Sequence, residues 1–429
     1  MTPVIRGGMI ATAISLAWTC ATIAEYRYPY HDPYVATATS AIVNADRLPP
    51  GPTRQIIRVP GLPGRDELPS LEGRGQLSVA LYRQHGPAPL LFIVPGVGSS
   101  PYFGVATYFA GLFHREGFNV VVLPSPITWN FALAASRSGT PGYPPEDARD
   151  LYTAMRATLA VLRSRYDVRT TDVRFMGLSL GALEGAYVSV LDSEERAIGI
   201  DGYLLVNPPV DLAYALRRID EWGMLGQRFG REKSERIVAK ALDIVESFSA
   251  QRRDDPAVFD RLARDVAAFT TEELQFLIAQ DVRMALPELV YVTQVIHAHG
   301  NRWTKDEVRR RLGDARNISY RDYRERIALP VWRRQAGEPE TDAEAFARRG
   351  SLPPILDRLS NNPKVHIMHN ADDVLVDRKS VQDLKKALGD QVTLYPHGGH
   401  LGNLWYPDNK DDALRLLGAG HERPQYAKR

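Results

Sequence analysis

The residues best suited to chemistry form one short run, Gly177-Leu178-Ser179-Leu180-Gly181, between an apolar strand pattern and a helical segment. A serine hydroxyl is a poor nucleophile unless it is held exposed beside a base, and a sharp Gly-x-Ser-x-Gly turn between strand and helix holds it that way. Such a turn crowds the backbone, so side chains at Gly177 and Gly181 would clash with the neighbouring strand or helix. The pattern also occurs in ordinary strand-to-helix turns. Alone, it favours a nucleophile and an ordinary turn about equally.

A base and a carboxylate occur later in the chain, each after a predicted strand. Asp373 follows the predicted strand Val365 to Met368. His400 follows the predicted strand Val392 to Tyr395. Loops after the carboxyl ends of parallel strands share one edge of a sheet, so Ser179, Asp373 and His400 are expected to meet there. A hydroxyl, an imidazole and a carboxylate in that arrangement carry out acyl transfer through a covalent serine intermediate.

Neighbouring residues compete for the acid and base roles. Asp372 is adjacent to Asp373 and is more simply explained as a solvated loop residue, while Asp211 follows the preceding strand and is a rival acid. His397 is interpreted as a polar residue at a strand end, because two glycines lead into His400 instead.

The elements that must position these residues alternate along the chain. The predicted strands are residues 54–59, 75–84, 90–94 and 118–126, the run from Val173 to the turn, and residues 201–211, 365–368 and 392–395. Helical patterns separate most of them, at residues 102–116, 146–165, 378–389 and 408–417. Strands that alternate with helices predict a mostly parallel sheet covered on both faces. Residues 212 to about 360 contain helical patterns and no convincing strand, which indicates an inserted helical block.

Three runs of the sequence resemble a known family. The runs MGLSLGALEG, HNADDVLVD and PHGGHLGN are similar to the elbow, acid loop and histidine loop of the α/β-hydrolase superfamily, over residues 54–211 and 363–417. The resemblance implies an α/β-hydrolase fold, with a mostly parallel central sheet flanked by helices and an inserted all-helical cap. It also implies Ser179, Asp373 and His400 as the catalytic residues. Asp373 is preferred as the acid because the surrounding spacing matches the family's Gly-x-x-Asp-x-x-Val loop, with Asn in place of Gly.

The same resemblance implies an oxyanion hole. The PGVGSS run after the third predicted strand corresponds to the family's oxyanion loop, and the donors would be the backbone amides of Val97 and Leu180. This loop departs from one large lipase and esterase branch because it lacks an HGGG run. The sequence therefore does not support membership of that branch.

The N-terminus predicts export. Arg6 precedes an apolar stretch with small residues near its end, which is typical of a secretory signal, and an uncleaved membrane anchor is the alternative. Cys20 makes the chain a lipoprotein candidate, although the residues before it match a lipobox poorly. The expected divisions are residues 1–24 as signal peptide or anchor, 25–53 as a tether, 54–211 and 363–429 as the hydrolase core, and 212–362 as the helical cap. Localisation is expected to be periplasmic or membrane-anchored.

Composition excludes several other classes of function. The formal net charge of +2 gives no reason to expect a nucleic-acid partner, and the single cysteine excludes a disulfide framework or a thiolate nucleophile in the body of the protein. His297-x-His299 is interpreted as a polar helix end rather than a metal site, and Glu184 as a helix residue near the active site. No phosphate loop or dinucleotide fingerprint occurs, so no cofactor and no metal are expected.

These patterns predict an exported serine hydrolase that cleaves carboxylic esters, with lipophilic acyl esters suggested by the apolar insertion. Its partner would be a small-molecule or lipid-like ester, with membrane association through the N-terminus as a further expectation. An acyltransferase or an amidase or peptidase with the same three residues is the alternative enzyme. A non-catalytic, membrane-tethered binding protein on a hydrolase scaffold is the alternative from another class.

Overall fold

A computed structural model describes residues 26–44, 53–251, 257–298 and 303–419. The signal-sequence prediction for residues 1–24, including Cys20, lies outside these ranges. The described residues form eight strands: β1 Gln55–Val59, β2 Leu77–Tyr82, β3 Ala88–Val94, β4 Asn119–Val122, β5 Thr170–Leu178, β6 Gly202–Val206, β7 Val365–Asn370 and β8 Val392–Tyr395. Each corresponds to a predicted strand.

The strands form one sheet in the order β1-β2-β4-β3-β5-β6-β7-β8. β2 pairs antiparallel with both β1 and β4, and every other pair is parallel. The carboxyl ends of β5, β7 and β8 therefore lie on one edge of the sheet, as predicted for the loops that carry Ser179, Asp373 and His400. The prediction of a mostly parallel sheet is confirmed.

Helices cover both faces of the sheet. The described helices are α1 Pro33–Asn44, α2 Val105–Arg115, α3 Trp129–Ala134, α4 Pro144–Tyr166, α5 Leu180–Glu195, α6 Leu212–Gly223, α7 Leu225–Ser249, α8 Ala257–Ala267, α9 Thr271–Arg283, α10 Leu286–His297, α11 Lys305–Ala315, α12 Tyr320–Tyr323, α13 Leu329–Ala336, α14 Ala343–Arg349, α15 Leu356–Ser360, α16 Arg378–Leu388 and α17 Pro407–Leu416.

The two faces of the sheet belong to two separate apolar cores. Along β3, Leu90, Phe92 and Val94 pack in the core that includes α4 and α5. Leu91 and Ile93 pack in the opposite core, with α2 and α17. All five side chains have 0% exposure, as a strand of continuous apolar residues predicts when both sheet faces are covered.

The described residues between β6 and β7 form the ten α-helices α6 to α15 and no strand. Three of these helices begin with capping boxes, at Thr270, Thr304 and Ser319, in which the capping side chain and the acidic residue three positions later exchange hydrogen bonds. Within this segment, α9 packs against α6 and α7 and against the N-terminal α1, and α10 packs against α3. We refer to α6–α15 as the insertion helices. In the part of the chain that the structure describes, no helix has both the length and the apolarity needed to span a bilayer.

The N-terminal segment differs from the expected tether. Tyr28 and Tyr30 are buried, at 1% and 4% exposure, and α1 packs against α2, α8 and α9. The Tyr28 hydroxyl donates a 3.0 Å hydrogen bond to the Gly402 carbonyl, and its ring contacts His397 and Trp405. The tether prediction was wrong for these residues because aromatic rings of that size contribute large buried areas once another part of the fold receives them.

Candidate active site

Ser179 occupies the turn between β5 and α5 in a strained backbone conformation. Its φ is 53° and its ψ is −119°, a region that non-glycine residues rarely adopt. The Ser179 amide donates a 2.9 Å hydrogen bond to the Val206 carbonyl, which ties the turn to the end of β6. Backbone strain of this kind persists only where the surrounding structure imposes it, and it projects the side chain out of the turn.

The two glycines of the turn are required by close backbone contacts. A β-carbon at Gly177 would lie 2.2 Å from the Gly181 carbonyl oxygen, and one at Gly181 would lie 2.1 Å from the Val94 carbonyl oxygen. Distances this short are not reached by real β-carbons, so either substitution would separate β5 or β3 from α5. Both clashes are of the kind that the sequence predicts for Gly177 and Gly181.

The structure brings together the three residues that were predicted as nucleophile, base and acid. His400 Nε2 lies 2.8 Å from Ser179 Oγ. His400 Nδ1 lies 2.9 Å from Asp373 Oδ2 and 3.1 Å from Asp373 Oδ1. If Nδ1–H donates to the carboxylate, Nε2 is left as an acceptor for the serine hydroxyl, which is the tautomer that a general base needs.

Asp373 is held as a buried carboxylate by three separate donors. Besides His400, the Asn207 side chain donates to Oδ2 at 2.8 Å and the Leu375 amide donates to Oδ1 at 2.9 Å. Burial alone would raise the pKa of this carboxyl, but the nearby imidazoles of His400 and His369 and the hydrogen bonds outweigh it and lower the pKa below the usual value. Asp373 therefore stays ionised where it can orient His400.

The rival acids and base make other contacts. Asp211 caps α6 by accepting a 3.0 Å hydrogen bond from the Tyr214 amide. Asp372 accepts a 2.9 Å hydrogen bond from the Gly399 amide, and its pKa is raised, chiefly by burial. His397 Nε2 lies 2.9 Å from the Tyr28 carbonyl, which is an N-terminal contact rather than one to Ser179.

The two residues predicted to supply oxyanion donors, Val97 and Leu180, both lie close to the Ser179 turn. Leu180 is the first residue of α5, where backbone N–H groups have no acceptor within the helix. Val97 lines the cavity that also holds Ser179 and His400. Gly96, the residue before Val97, approaches the nucleophile so closely that a β-carbon there would lie 2.9 Å from Ser179 Cβ and 3.4 Å from Ser179 Oγ.

A mostly apolar cavity of about 290 Å³ opens on Ser179 and His400. One side is formed by α1, the 95–106 segment and the loops of the acid and histidine. The other side is formed by the insertion helices α6, α7, α8 and α9. The residues that the insertion helices contribute are Ile219, Ala241, Ile244, Val245, Val266, Leu274, Leu277, Ile278, Asp281 and Val282, and Phe269 follows α8.

Two residues that hold the site together were not predicted from the sequence. Asn207, at φ 47°, lies within the predicted strand 201–211, and no sequence motif assigns it to the site. Thr37 belongs to the segment predicted as a tether, yet its Oγ1 accepts a 2.9 Å hydrogen bond from the His400 amide. The Asn-Pro-Pro run could have indicated a constrained strand end, whereas nothing local to Thr37 indicates its contact.

The structure offers no metal-binding group within the residues it describes. No three His, Cys, Asp or Glu side chains cluster in these residues in a way that could hold an ion. His297 is the last residue of α10, and His299 lies outside the described ranges.

Comparisons with known proteins give distant structural similarity. No protein-family model and no curated protein sequence matches the chain. Among solved structures, an esterase of Pyrococcus furiosus matches at TM-score 0.38 and 12% identity, covering 85% of this chain and 90% of its own. An α/β-hydrolase of Penicillium sp. matches at TM-score 0.40 and 13% identity, covering 85% and 98%. Brefeldin A esterase, described as a bacterial homologue of human hormone sensitive lipase, matches at TM-score 0.43 and 15% identity, covering 91% and 87%.

The fold can be identified from the coordinates of the chain itself. Its sheet has eight strands in the order β1-β2-β4-β3-β5-β6-β7-β8, antiparallel only at β2 and covered by helices on both faces. A strained serine turn joins its fifth strand to the following helix. By this strand order, these helical layers and this turn, the chain has the α/β-hydrolase fold.

Proposed function

We propose that this protein is a serine hydrolase that cleaves carboxylic esters through an acyl-enzyme intermediate. The observation that carries the proposal is the chain of hydrogen bonds from Ser179 Oγ through His400 to Asp373, 2.8 Å and 2.9 Å long. Nothing in the packing of an α/β sheet requires a hydroxyl, an imidazole and a buried carboxylate in that order. The arrangement matches the three roles that acyl transfer requires.

In the proposed reaction, His400 removes the Ser179 proton as the hydroxyl oxygen attacks the ester carbonyl. Asp373 orients the imidazole and stabilises its positive charge, without accepting the proton itself. The amides of Val97 and Leu180 would donate to the oxyanion, a contribution of about 3–4 kcal/mol for each donor in comparable sites. His400 then donates the proton to the leaving alcohol, and the reverse sequence with water releases the acid.

The character of the cavity supports a lipophilic ester. Its lining is dominated by aliphatic and aromatic side chains such as Leu277, Ile278 and Phe269, and Phe103 exposes 63% of its surface at the same cavity. Burial of each methylene of an acyl chain against such a surface contributes about 0.8 kcal/mol. The value of kcat/KM is therefore expected to rise with the length of the acyl chain until the cavity is filled.

Labelling with a fluorophosphonate probe tests the activated serine directly. The expected result is one adduct on the peptide that contains Ser179, absent from Ser179→Ala and His400→Ala, both of which should remain folded by circular dichroism. Ser138→Ala is a matched control, because that serine bonds only within its own loop and should leave labelling unchanged. A folded protein that shows no Ser179 adduct, with or without detergent, would contradict the proposal and favour a binding protein on a hydrolase scaffold.

Product analysis separates ester hydrolysis from the related reactions. Matched p-nitrophenyl esters and p-nitroanilides should show turnover of the esters alone. Added alcohol should not divert the acyl group. Transfer to the alcohol would identify an acyltransferase, and anilide cleavage would identify an amidase or peptidase.

Export is a separate proposal that rests on the apolar stretch after Arg6. It is tested by fractionating cells and reading the mature N-terminus by mass spectrometry. Cleavage near residue 24 supports a signal peptide and a diacylglyceryl group on Cys20 supports a lipoprotein, whereas an unprocessed chain in the cytosolic fraction would contradict export.

A further inference from the structure

An acidic residue lies in the mostly apolar wall of the cavity. Asp281 lines the cavity among Leu274, Leu277, Ile278 and Val282, all on α9. Because residues three or four apart on a helix lie on one face, Asp281 shares a face with Leu277 and Ile278, and that face is turned toward the cavity. Asp281 itself is exposed, so the surface that it presents belongs to the concave wall of the site.

The carboxylate of Asp281 has no partner among the described residues. Its side chain takes part in none of their hydrogen bonds or salt bridges, and its backbone carbonyl accepts a hydrogen bond from the Met284 amide at the end of α9. The described residues that line the cavity include no lysine and no arginine. Asp281 keeps an exposed surface toward the cavity, but the apolar side chains around it exclude part of the surrounding water and so raise the pKa of its carboxyl.

Asp281 is exposed to water while the cavity is open, and an apolar ligand that fills the cavity removes part of that water from the carboxylate, which costs free energy. The cost is recovered when a ligand brings a positive group to the carboxylate. A negatively charged ligand would be repelled, because the described lining residues offer no lysine or arginine to compensate the charge of Asp281.

We propose that Asp281 binds a protonated amine of the substrate, so that the preferred substrate is an ester whose apolar part carries an ammonium group. This proposal rests on the ester hydrolase function proposed for the same cavity. In the bound state the ammonium donates a charge-assisted hydrogen bond to Asp281 while the ester carbonyl lies at Ser179. The apolar side chains between these two residues contact the intervening carbon chain.

The test compares p-nitrophenyl esters that differ only at the end of the acyl chain. Chains ending in methyl, ammonium, hydroxyl and carboxylate are assayed at several lengths and at mildly alkaline pH, where both Asp281 and the amine are charged. The proposal predicts that kcat/KM for the ammonium ester, relative to the methyl ester, falls about tenfold to a hundredfold in Asp281→Asn. In the same variant, kcat/KM for the carboxylate ester should rise relative to kcat/KM for the methyl ester.

A control variant separates local recognition from the general charge of α9. Glu272→Gln removes the same charge from the first turn of that helix, where Glu272 pairs with Arg228 on the outside, and should leave the ratio unchanged. Recognition of a cation would be overturned if Asp281→Asn lowered kcat/KM equally for all the esters. It would also be overturned if the hydroxyl ester showed the same Asp281-dependent preference as the ammonium ester.

A binding measurement keeps the two proposals apart. Calorimetry of an alkylammonium ion and of the matching alkanol with Ser179→Ala reports recognition without turnover. The proposal is supported if Ser179→Ala binds the alkylammonium ion more tightly than the alkanol and if this preference disappears when Asp281→Asn is added. That result would hold even if no ester is hydrolysed. Equal affinities for the two ligands would overturn the proposal even if Ser179 proves to be an active nucleophile.

Discussion

Thr37 Oγ1 accepts a 2.9 Å hydrogen bond from the backbone amide of His400, across 363 residues of sequence. The contact joins the N-terminal helix α1 to the loop that carries the proposed base. The same hydroxyl donates to the Pro33 carbonyl one turn earlier, so both ends of the interaction are fixed. The N-terminal segment is therefore part of the site and holds the histidine loop in position.

Thr37→Val should weaken both the fold and the activity. Valine has nearly the same shape but leaves the buried His400 amide without an acceptor, which costs about 1–3 kcal/mol of unfolding free energy. We expect kcat to fall more than KM rises, because His400 is displaced from Ser179 while the apolar cavity is retained.

Thr37→Ser is the matched control for this prediction, since it keeps the acceptor oxygen. It should retain most of the activity, as measured by ester kinetics and by chemical denaturation. Equal losses in the serine and valine variants would show that the methyl group, rather than the hydrogen bond, is what matters at this position.

The local motifs explain why the central residues could be predicted from sequence. Ser179 is marked by its flanking glycines, and Asp373 and His400 by their positions after apolar strands, all of which are short-range signals. Thr37 could not be predicted because its contact depends on how α1 packs, and Asp281 reads in sequence only as a polar interruption of an apolar helix. The insertion helices were recognisable as helical, but periodicity does not specify which of their faces meets Ser179.

Asn207 positions the proposed acid, and its removal should reduce kcat. Asn207→Gly keeps the positive φ of 47° without strain but removes the 2.8 Å hydrogen bond to Asp373. A hydrogen bond to a charged group is worth about 1.5–3 kcal/mol, so kcat should fall roughly tenfold to a hundredfold with little change in KM.

Asn207→Ala separates this effect from backbone strain. It loses the same donor but must also adopt the left-handed conformation, at an additional cost of about 1–2 kcal/mol in unfolding free energy. The two variants should therefore have similar kcat values and different melting temperatures. Wild-type kcat in the glycine variant would mean that Asn207 has no role in positioning Asp373.

Gly96→Ala should disable the nucleophile without removing any functional group. The new methyl would lie 2.9 Å from Ser179 Cβ and 3.4 Å from Ser179 Oγ, so either the serine or the Val97 loop must shift. We expect fluorophosphonate labelling to slow by tenfold or more, since a displacement of about 1 Å near reacting atoms can cost a hundredfold in rate. Gly86→Ala is the control, because a β-carbon there has no neighbour within 4 Å. Labelling at the wild-type rate in both variants would contradict the contact between Gly96 and Ser179.

Glu184, one turn after Leu180 on α5, should make the fold sensitive to pH. Its side chain is fully buried, and neither carboxylate oxygen has a hydrogen-bond partner among the described residues. Burial, followed by the charges of Asp147 and Asp150, raises the pKa of Glu184 well above its usual value. The folded state then binds more protons than the unfolded state at any pH between the unfolded pKa of about 4.3 and the raised folded value.

It follows that the unfolding free energy should fall as pH rises through that window, by up to about 1.4 kcal/mol per pH unit for this one group. Glu184→Gln removes the ionisation, so its stability relative to wild type should increase between mildly acidic and mildly alkaline pH. Asp147, whose pKa is also raised by burial, should retain part of the slope in the variant. Denaturation curves at several pH values measure the difference, with Glu195→Gln at the exposed end of the same helix as control. Parallel pH profiles for wild type and Glu184→Gln would mean that Glu184 ionises in the folded protein as freely as in the unfolded chain.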